Sequence, residues 1–307
     1  MRQVTFSDNY TSNISHCIML FRTATRGIIG RAFSTGRVCR EELSYQVYGP
    51  ETDQAVRDPI LFLHGLFGSK QNNRSISKTL ARDLKCRIFA LDLRNHGHSF
   101  HAPEHTYSAM AGDVQEFMQQ QKLDKCVLIG HSMGAKVAMT VALNSPKRVS
   151  GLIPVDNAPV NAALKSDFPK YVRGMQHVER AKVSKQSEAN KILEDYEESL
   201  GVRQFLLTNL IRAEDQTLKF RVPLSVLGES LDNMADFPFS ESDGIQYNGP
   251  TLFVRGTKSR YVSDDTIPAI KKFFPNAQIA DVDAGHWLIS EDPEAFRQAV
   301  VKFLGSS

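Results

Sequence analysis

Short apolar runs alternate with longer amphipathic stretches along most of this 307-residue chain. Apolar runs rich in β-branched residues are typical of buried strands, whereas apolar residues spaced three and four apart are typical of helices. Strands are predicted over residues 42–48, 59–63, 87–93, 127–129, 149–155, 251–255 and 278–282. Helices are predicted over residues 75–84, 107–121, 135–143, 265–274 and 293–304. The alternation predicts an α/β fold with a mostly parallel, doubly wound sheet and an antiparallel first strand.

Residues 160–248 interrupt this alternation, because they are polar and helical in pattern and hold few strand candidates. Insertions between the core strands of α/β proteins normally pack over the active site. The segment is therefore predicted to be a helical lid. The core is expected in two parts, residues 40–159 and residues 249–307.

The stretch from residue 125 to residue 143, KCVLIGHSMGAKVAMTVAL, joins a predicted strand to a predicted helix through a glycine-flanked serine, Ser132. A sharp strand-to-helix turn exposes a serine hydroxyl, and Gly130 and Gly134 fill places where a side chain would not fit. The helix begins at the site, so the Met133 N–H can donate to an oxyanion formed beside Ser132. Ser132 is the predicted nucleophile. The alternative is an ordinary glycine-rich turn.

The predicted base is His286. A serine nucleophile needs a base, and the chain order nucleophile, acid, histidine places it after the last strand. His286 lies there, in the loop DAGHW over residues 283–287. Gly285 lets the loop turn tightly, and Trp287 can form a wall of the substrate pocket. The alternative is a histidine on a surface loop.

The orienting acid has more than one candidate position in the sequence. Many proteins of this architecture carry the acid after the strand at 251–255, where this chain has Ser259, so Asp264 and Asp265 are alternatives. Negative charge at a helix N-terminus is a sufficient explanation of those two. Asp156 ends the strand that follows the nucleophile strand, and a carboxylate at that point needs a partner such as an imidazolium. Asp156 is therefore the predicted acid.

The strand at 59–63 ends in the loop HGLFGS, residues 64–69. A glycine-flanked loop at the carboxyl end of a central strand can turn a backbone amide toward the nucleophile. The Leu66 N–H is therefore the predicted second oxyanion donor. His64 is expected to brace this loop through hydrogen bonds rather than to take part in catalysis.

Four histidines, His96, His98, His101 and His105, lie close together in sequence and raise the question of a zinc site. Zinc ligand sets usually come with a helix or a Cys/His pairing that fixes their geometry, and neither is present. A polar loop at the rim of the site is preferred. No metal and no cofactor is predicted.

The first forty residues hold six arginines, no lysine and one acidic residue, Asp8. Apolar and basic residues alternate over MLFRTATRGIIGRAFSTGR, which is the make-up of a mitochondrial transit peptide. Arg31-Ala32-Phe33 before Ser34 resembles a matrix-protease cleavage site, so residues 1–33 are the predicted transit peptide. The residues before Met19 dilute this transit-peptide composition, so Met19 is a candidate for the physiological start of translation. A disordered basic tail is the alternative.

Charge and cysteine usage exclude several classes of function. The full chain has a formal charge of +3, and loss of residues 1–33 would leave it near neutral. With no basic aromatic stripe elsewhere, nucleic acid binding is not expected. The four cysteines form no disulfide framework and are expected to be reduced, as in a matrix enzyme. No apolar run is long enough to span a bilayer.

Six motifs occur in order along residues 59–305: LFLHGLFGS, DLRNHGHS, GHSMGAKVAM, VDNAPV, LLTNL and DAGHW. With them the chain resembles the alpha/beta-hydrolase superfamily, and within it the mitochondrial abhydrolase group that includes the fungal ethanol acetyltransferases. The resemblance implies a triad of Ser132, Asp156 and His286. It also implies mitochondrial residence and acyl transfer from acetyl-CoA to ethanol, with hydrolysis of the thioester and of short-chain esters as side reactions.

Two other functions stay open at this point. One is a mitochondrial serine esterase or lipase that acts on longer-chain esters. The other, from a different class, is a non-catalytic matrix protein that keeps the hydrolase core for binding a partner. Epoxide and haloalkane hydrolysis are disfavoured, because those reactions in this architecture use a carboxylate nucleophile at the position of Ser132.

Overall fold

The computed structural model describes residues 42–51, 55–161 and 167–305. The predicted transit peptide, its cleavage site and Met19 lie outside the described residues. Within the described ranges, every helix is too short or too polar to cross a membrane.

The centre of the fold is a seven-stranded sheet with the strand order β1-β3-β2-β4-β5-β8-β9. Its strands are β1 (Tyr45–Tyr48), β2 (Ile60–Leu63), β3 (Ile88–Leu91), β4 (Cys126–His131), β5 (Val149–Val155), β8 (Thr251–Gly256) and β9 (Ala277–Val282). β1 pairs antiparallel with β3, and the other neighbours are parallel. The predicted fold class and the antiparallel first strand are confirmed.

Helices cover both faces of this sheet, and further helices lie in the segment between β5 and β8. They are α1 (Arg74–Leu84), α2 (Tyr107–Gln120), α3 (Met133–Asn144), α4 (Phe168–Arg180), α5 (Gln186–Leu193), α6 (Leu200–Leu207), α7 (Leu224–Glu229), α8 (Leu231–Ala235), α9 (Ile267–Phe273), α10 (Leu288–Glu291) and α11 (Pro293–Gly305). In the described part of the chain, 3-10 turns lie at Pro146–Arg148, Glu241–Asp243 and Asp264–Thr266. Neighbouring residues of β2 face the helices on opposite sides of the sheet. Leu61 packs with α2 and α3, whereas Phe62 packs with α1 and α11. This alternation buries both faces of the strand.

The segment between β5 and β8 contains helices α4 to α8, as the polar helical pattern predicts. It also contains a short antiparallel hairpin of β6 (Leu210–Arg212) and β7 (Leu218–Phe220), which the sequence pattern did not reveal. Each strand has three residues, too few for a recognisable alternation.

The strand order places the loops after β2 and β4 side by side. β2 lies between β3 and β4 in the sheet. The crossover from β2 to β3 therefore runs in one direction, and the crossover from β3 to β4 runs in the opposite direction. In open α/β sheets, ligands bind at such a switch point, outside the carboxyl ends of the strands. Leu63 pairs with Gly130 at this end, which brings the loop at 64–69 next to Ser132.

Candidate active site

Ser132 occupies a strained turn between β4 and α3. Its backbone has φ 54° and ψ −113°, a region that residues with a Cβ rarely adopt. A Cβ on Gly130 would overlap the carbonyl of Gly134, and a Cβ on Gly134 would lie 2.6 Å from the His64 carbonyl oxygen. The expectation that only glycine fits on both sides of the serine is therefore confirmed.

The structure brings the three predicted site residues together from positions far apart in the chain. Ser132 Oγ lies 3.0 Å from His286 Nε2, and His286 Nδ1 lies 2.6 Å from Asp156 Oδ2. With the Nδ1 proton donated to the carboxylate, Nε2 is left to accept from the serine hydroxyl. The arrangement can therefore remove the hydroxyl proton of Ser132 and stabilise the imidazolium that results.

Asp156 is fully buried and is held by three donors. Besides His286 Nδ1, the Gly256 N–H donates to Oδ1 at 3.1 Å and the Ser259 hydroxyl donates to Oδ2 at 2.5 Å. A buried carboxylate needs such partners to remain charged. Asp156 also has a positive φ of 52°, so both Ser132 and its acid lie in uncommon backbone conformations.

The alternative acids point elsewhere. Asp264 Oδ1 accepts from Arg255 Nη1 at 2.6 Å, and its side chain is 82% exposed. Asp265 is exposed in the same 3-10 turn. Of the three acids considered from the sequence, the structure brings only Asp156 into hydrogen-bond contact with His286.

Two backbone amides beside Ser132 are available to a ligand. Within the described residues, neither the Leu66 nor the Met133 N–H donates to another protein group. The loop that carries Leu66 packs closely, since a Cβ on Gly65 would lie 3.3 Å from the Ser132 Cβ. Met133 is the first residue of α3, where amides lack partners in the helix and the helix dipole favours negative charge.

Two buried histidines brace the loop that carries Leu66. His64 Nδ1 donates to the Gly65 carbonyl at 2.8 Å, and His64 Nε2 accepts from the Leu93 N–H at 3.0 Å. His96 Nε2 accepts from the Phe67 N–H at 3.1 Å. Burial lowers the pKa of both histidines, which keeps the rings neutral and able to accept. The expected bracing role of His64 is confirmed.

The other members of the histidine group do not converge on one point. His105 is buried, and burial lowers its pKa to about 4. His98 is exposed, and its Nε2 lies 3.1 Å from Arg221 Nη1. Among the described residues, no three His, Cys, Asp or Glu side chains are grouped so that they could hold a metal ion.

His131 and Tyr261 support His286 without belonging to the predicted triad. His131 Nε2 donates to the His286 carbonyl at 2.8 Å. Burial, as the main cause, and the nearby His286, as the second, lower the pKa of His131 to about 4. The Tyr261 ring stacks on the His286 ring with centroids 4.1 Å apart and planes at 27°. Burial raises the pKa of Tyr261 to about 12, so its hydroxyl stays protonated.

The supporting residues were not identified from the sequence. His131 lies inside the GHSMG motif, and Ser259 occupies the place where an acid was sought, so each position carried a weak signal. Tyr261 carried no signal. Asn209, in the LLTNL motif, donates from Nδ2 to the Phe67 carbonyl at 2.8 Å and ties the segment between β5 and β8 to the loop at 64–69.

A cleft of about 800 Å³ lies against this site. Gly65 and His131, neighbours of Leu66 and Ser132, line it on one side, and Trp287, next to His286, lines it on another. Helix α6 contributes Val202 and Phe205, and the Phe205 and Trp287 rings lie 4.6 Å apart. No lysine or arginine is found among the described residues that line the cleft.

Comparison with known proteins agrees with the fold. Residues 58–293 match the family described as alpha/beta hydrolase fold. The chain is 39% identical to the sn-1-specific diacylglycerol lipase ABHD11 of Xenopus laevis over 87% of this chain and 85% of that protein. It is 36% identical to the probable alcohol acetyltransferase of Saccharomyces cerevisiae over 81% of this chain and 77% of that protein.

A solved structure, a marine microorganism esterase, superposes with a TM-score of 0.80 at 31% identity, over 86% of this chain and all of that one. The predicted fold, family and enzyme class are confirmed. The chain belongs to the alpha/beta-hydrolase family of enzymes, in the group that includes the yeast alcohol acetyltransferases.

Proposed function

We propose that this protein transfers acyl groups through a covalent acyl-enzyme on Ser132. The observation that carries the proposal is the continuous pair of hydrogen bonds, 3.0 Å and 2.6 Å long, from Ser132 Oγ through His286 to Asp156. His286 Nε2 takes the serine proton as Oγ attacks the carbonyl carbon of the substrate. Asp156 stabilises the imidazolium, and the Leu66 and Met133 amides stabilise the oxyanion.

The second half of the reaction uses the same groups. The His286 imidazolium gives its proton to the leaving alcohol or thiol, and the neutral ring then activates the acceptor that attacks the acyl-serine. Water as acceptor gives a carboxylic acid, whereas an alcohol gives a new ester. The acceptor is therefore chosen by how the pocket binds alcohol and excludes water, because the catalytic groups do not change.

The lining of the cleft favours a neutral ester as the acyl donor. Apolar side chains such as Val202, Phe205 and Trp287 suit an acyl chain, and the described lining holds no cation that would pair with phosphates. The names of two relatives, a diacylglycerol lipase and an esterase, point in the same direction. We infer hydrolysis of neutral carboxylic esters, with water as the main acceptor.

Alcohol acetyltransfer from acetyl-CoA to ethanol is the second candidate. It is favoured by the similarity to the probable alcohol acetyltransferase of Saccharomyces cerevisiae. The proposed acyl-serine serves this reaction without any additional catalytic group. The anionic part of CoA would have to bind outside the cleft, where its phosphates could find positive side chains.

The segment from 160 to 248 is proposed to act as a lid. Its helix α6 forms one wall of the cleft, and Asn209 ties it to the loop that carries Leu66. A partner-binding protein without catalysis would have no need for the strained turn at Ser132 or for the three donors on Asp156. The intact site therefore favours an enzyme over that third candidate.

Mitochondrial matrix residence is also a proposal, supported by the arginine-rich and acid-poor composition of residues 1–33. A fluorescent fusion of the full chain is expected to enter mitochondria, and a fusion that begins at residue 34 is expected to stay outside. A fusion that begins at Met19 tests whether the shorter leader is sufficient. Equal distribution of the three fusions would refute the proposal.

The experiment that tests the function compares the purified full chain with Ser132→Ala. A panel of neutral esters with increasing acyl length, including glycerides, is followed by acid release, and acetyl-CoA is supplied separately with and without ethanol. Ser145→Ala is the matched control, because Ser145 caps the C-terminal end of α3, the helix that begins after Ser132. We expect Ser132-dependent hydrolysis of neutral esters. Ethyl acetate as the dominant Ser132-dependent product would instead establish the acetyltransferase.

The use of the cleft can be tested in the same panel. Val202→Trp fills part of the cleft, so it is expected to lower activity on long-chain esters more than on acetyl esters. Leu200→Trp is the matched control, since Leu200 lies on the same helix but is 52% exposed. Equal loss on all chain lengths in Val202→Trp would exclude the cleft as the acyl-binding site.

A further inference from the structure

The segment of residues 256–261, which consists of the last residue of β8 and the loop after it, contacts both members of the acid and base pair. Its first residue, Gly256, donates its N–H to Asp156 Oδ1 at 3.1 Å. Its fourth residue, Ser259, donates its hydroxyl to Asp156 Oδ2 at 2.5 Å. Its last residue, Tyr261, stacks on the His286 ring. One short segment thereby contacts the acid on both oxygens and the base on one face.

Ser259 and His286 donate to the same oxygen atom. Asp156 Oδ2 lies 2.5 Å from Ser259 Oγ and 2.6 Å from His286 Nδ1. Rotation of the Asp156 carboxylate about its last side-chain bond would break both hydrogen bonds and the one from Gly256. The carboxylate is therefore fixed in the plane that suits the imidazole. The second donor also withdraws charge from the oxygen that faces the base.

The direction of the Ser259 hydroxyl is set by its neighbour. The Tyr261 N–H donates to Ser259 Oγ at 3.3 Å, which occupies an acceptor site on that oxygen. The hydroxyl proton can then point toward Asp156 rather than rotate freely. The Tyr261 ring lies 4.1 Å from the His286 ring, centroid to centroid. The stacked Tyr261 ring therefore covers one face of the imidazole and limits its movement.

We propose that Ser259 and Tyr261 are positioning residues for the acid and base pair, and the proposal rests on the function proposed above for Ser132, His286 and Asp156. Ser259 fixes the orientation of the Asp156 carboxylate and weakens its pull on the His286 proton. Tyr261 orients the Ser259 hydroxyl through its backbone and holds the His286 ring through its side chain. Neither residue exchanges a proton with the substrate.

The test of Ser259 compares Ser259→Ala with Ser259→Thr, which keeps the hydroxyl. Ser259→Ala is expected to lower kcat about tenfold with little change in KM, since the acid is less well oriented while the cleft is untouched. The acid limb of its pH–rate profile is expected to move to higher pH, because Asp156 attracts the His286 proton more strongly. Ser259→Thr is expected to restore both properties. A loss of thermal stability with an unchanged pH profile would overturn the proposal.

The test of Tyr261 compares Tyr261→Phe, which keeps the ring, with Tyr261→Leu. Tyr261→Phe is expected to stay within about twofold of the parent in kcat, since the stacking and the backbone N–H are retained. Tyr261→Leu is expected to lose about tenfold in kcat, because the ring that holds His286 is gone. Equal effects of the two substitutions would overturn this part of the proposal.

A readout that does not need turnover separates this proposal from the proposed function. The proton on His286 Nδ1, held at 2.6 Å from Asp156, is expected to give a downfield proton NMR signal. In Ser259→Ala the signal is expected to move further downfield, and in Ser259→Thr it is expected to keep its position. If Ser132→Ala keeps full activity, the proposed function fails, yet the NMR comparison still decides for or against the role of Ser259.

Discussion

Replacement of Asp156 by asparagine tests the assignment of the acid. Three donors, from Gly256, Ser259 and His286, share the two oxygens of this buried carboxylate. Asparagine keeps the size and shape but offers one oxygen and an NH2 group, so at least one of these donors meets another donor. His286 then loses the carboxylate that fixes its tautomer and stabilises its charged form.

The expected loss follows from that change. Removal of the charge while the shape is kept typically costs serine triads about 10⁴-fold in kcat, which corresponds to about 5 kcal/mol of transition-state stabilisation. KM is expected to change little, because Asp156 does not line the cleft. The assay is hydrolysis of the best neutral ester at saturating substrate, with circular dichroism as the check that the variant is folded.

The matched control is Asp264→Asn. Asp264 pairs with Arg255 in an exposed position, where an ion pair contributes at most about 1 kcal/mol to stability. This variant is expected to keep its activity within about twofold. Retention of more than a tenth of the activity in folded Asp156→Asn, or an equally large loss in Asp264→Asn, would refute the assignment of the acid.

Three further predictions concern the stability of the fold, measured as the free energy of unfolding in urea. Gly130→Ala is expected to cost about 3 kcal/mol, because its Cβ overlaps the Gly134 carbonyl. Lys136→Met is expected to cost about 3 kcal/mol and to speed proteolysis after residue 160, because Lys136 Nζ donates to the carbonyls of Val160, Ala235 and Asp236. Burial lowers the pKa of His105 from 6.5 to about 4 in the folded protein. As the pH falls, His105 therefore takes up a proton at a higher pH in the unfolded chain than in the folded protein. His105 is therefore expected to contribute about 3 kcal/mol to the loss of stability between pH 6.5 and pH 4, so the loss is expected to be smaller in His105→Gln.

The sheet and the turn that carries Ser132 could be predicted because their signals are local. The apolar run at 127–129 and the glycines around Ser132 impose a strand, a turn and a helix within twenty residues, and the structure has all three. Asp156 ends a strand that is the direct neighbour of the nucleophile strand, so its position follows from the strand order alone. The structure places it in hydrogen-bond contact with His286.

The supporting residues could not be predicted because their contacts join distant parts of the chain. Ser259 meets Asp156 across 103 residues of sequence, and His131 meets His286 across 155 residues. No spacing or periodicity encodes such a meeting. The same holds for helix α10, whose four residues are too few for a periodic pattern. Only packing in the folded chain reveals these parts of the site.

The role proposed for Ser132 is that of a nucleophile activated by His286. Its most direct test is labelling of the folded full chain with a fluorophosphonate, followed by peptide mass mapping and residual activity. We predict one label per chain, on Ser132, with activity lost in proportion to labelling. We also predict no label in Ser132→Ala and far slower labelling in His286→Ala. A label on another residue, or full activity in completely labelled protein, would contradict the claim.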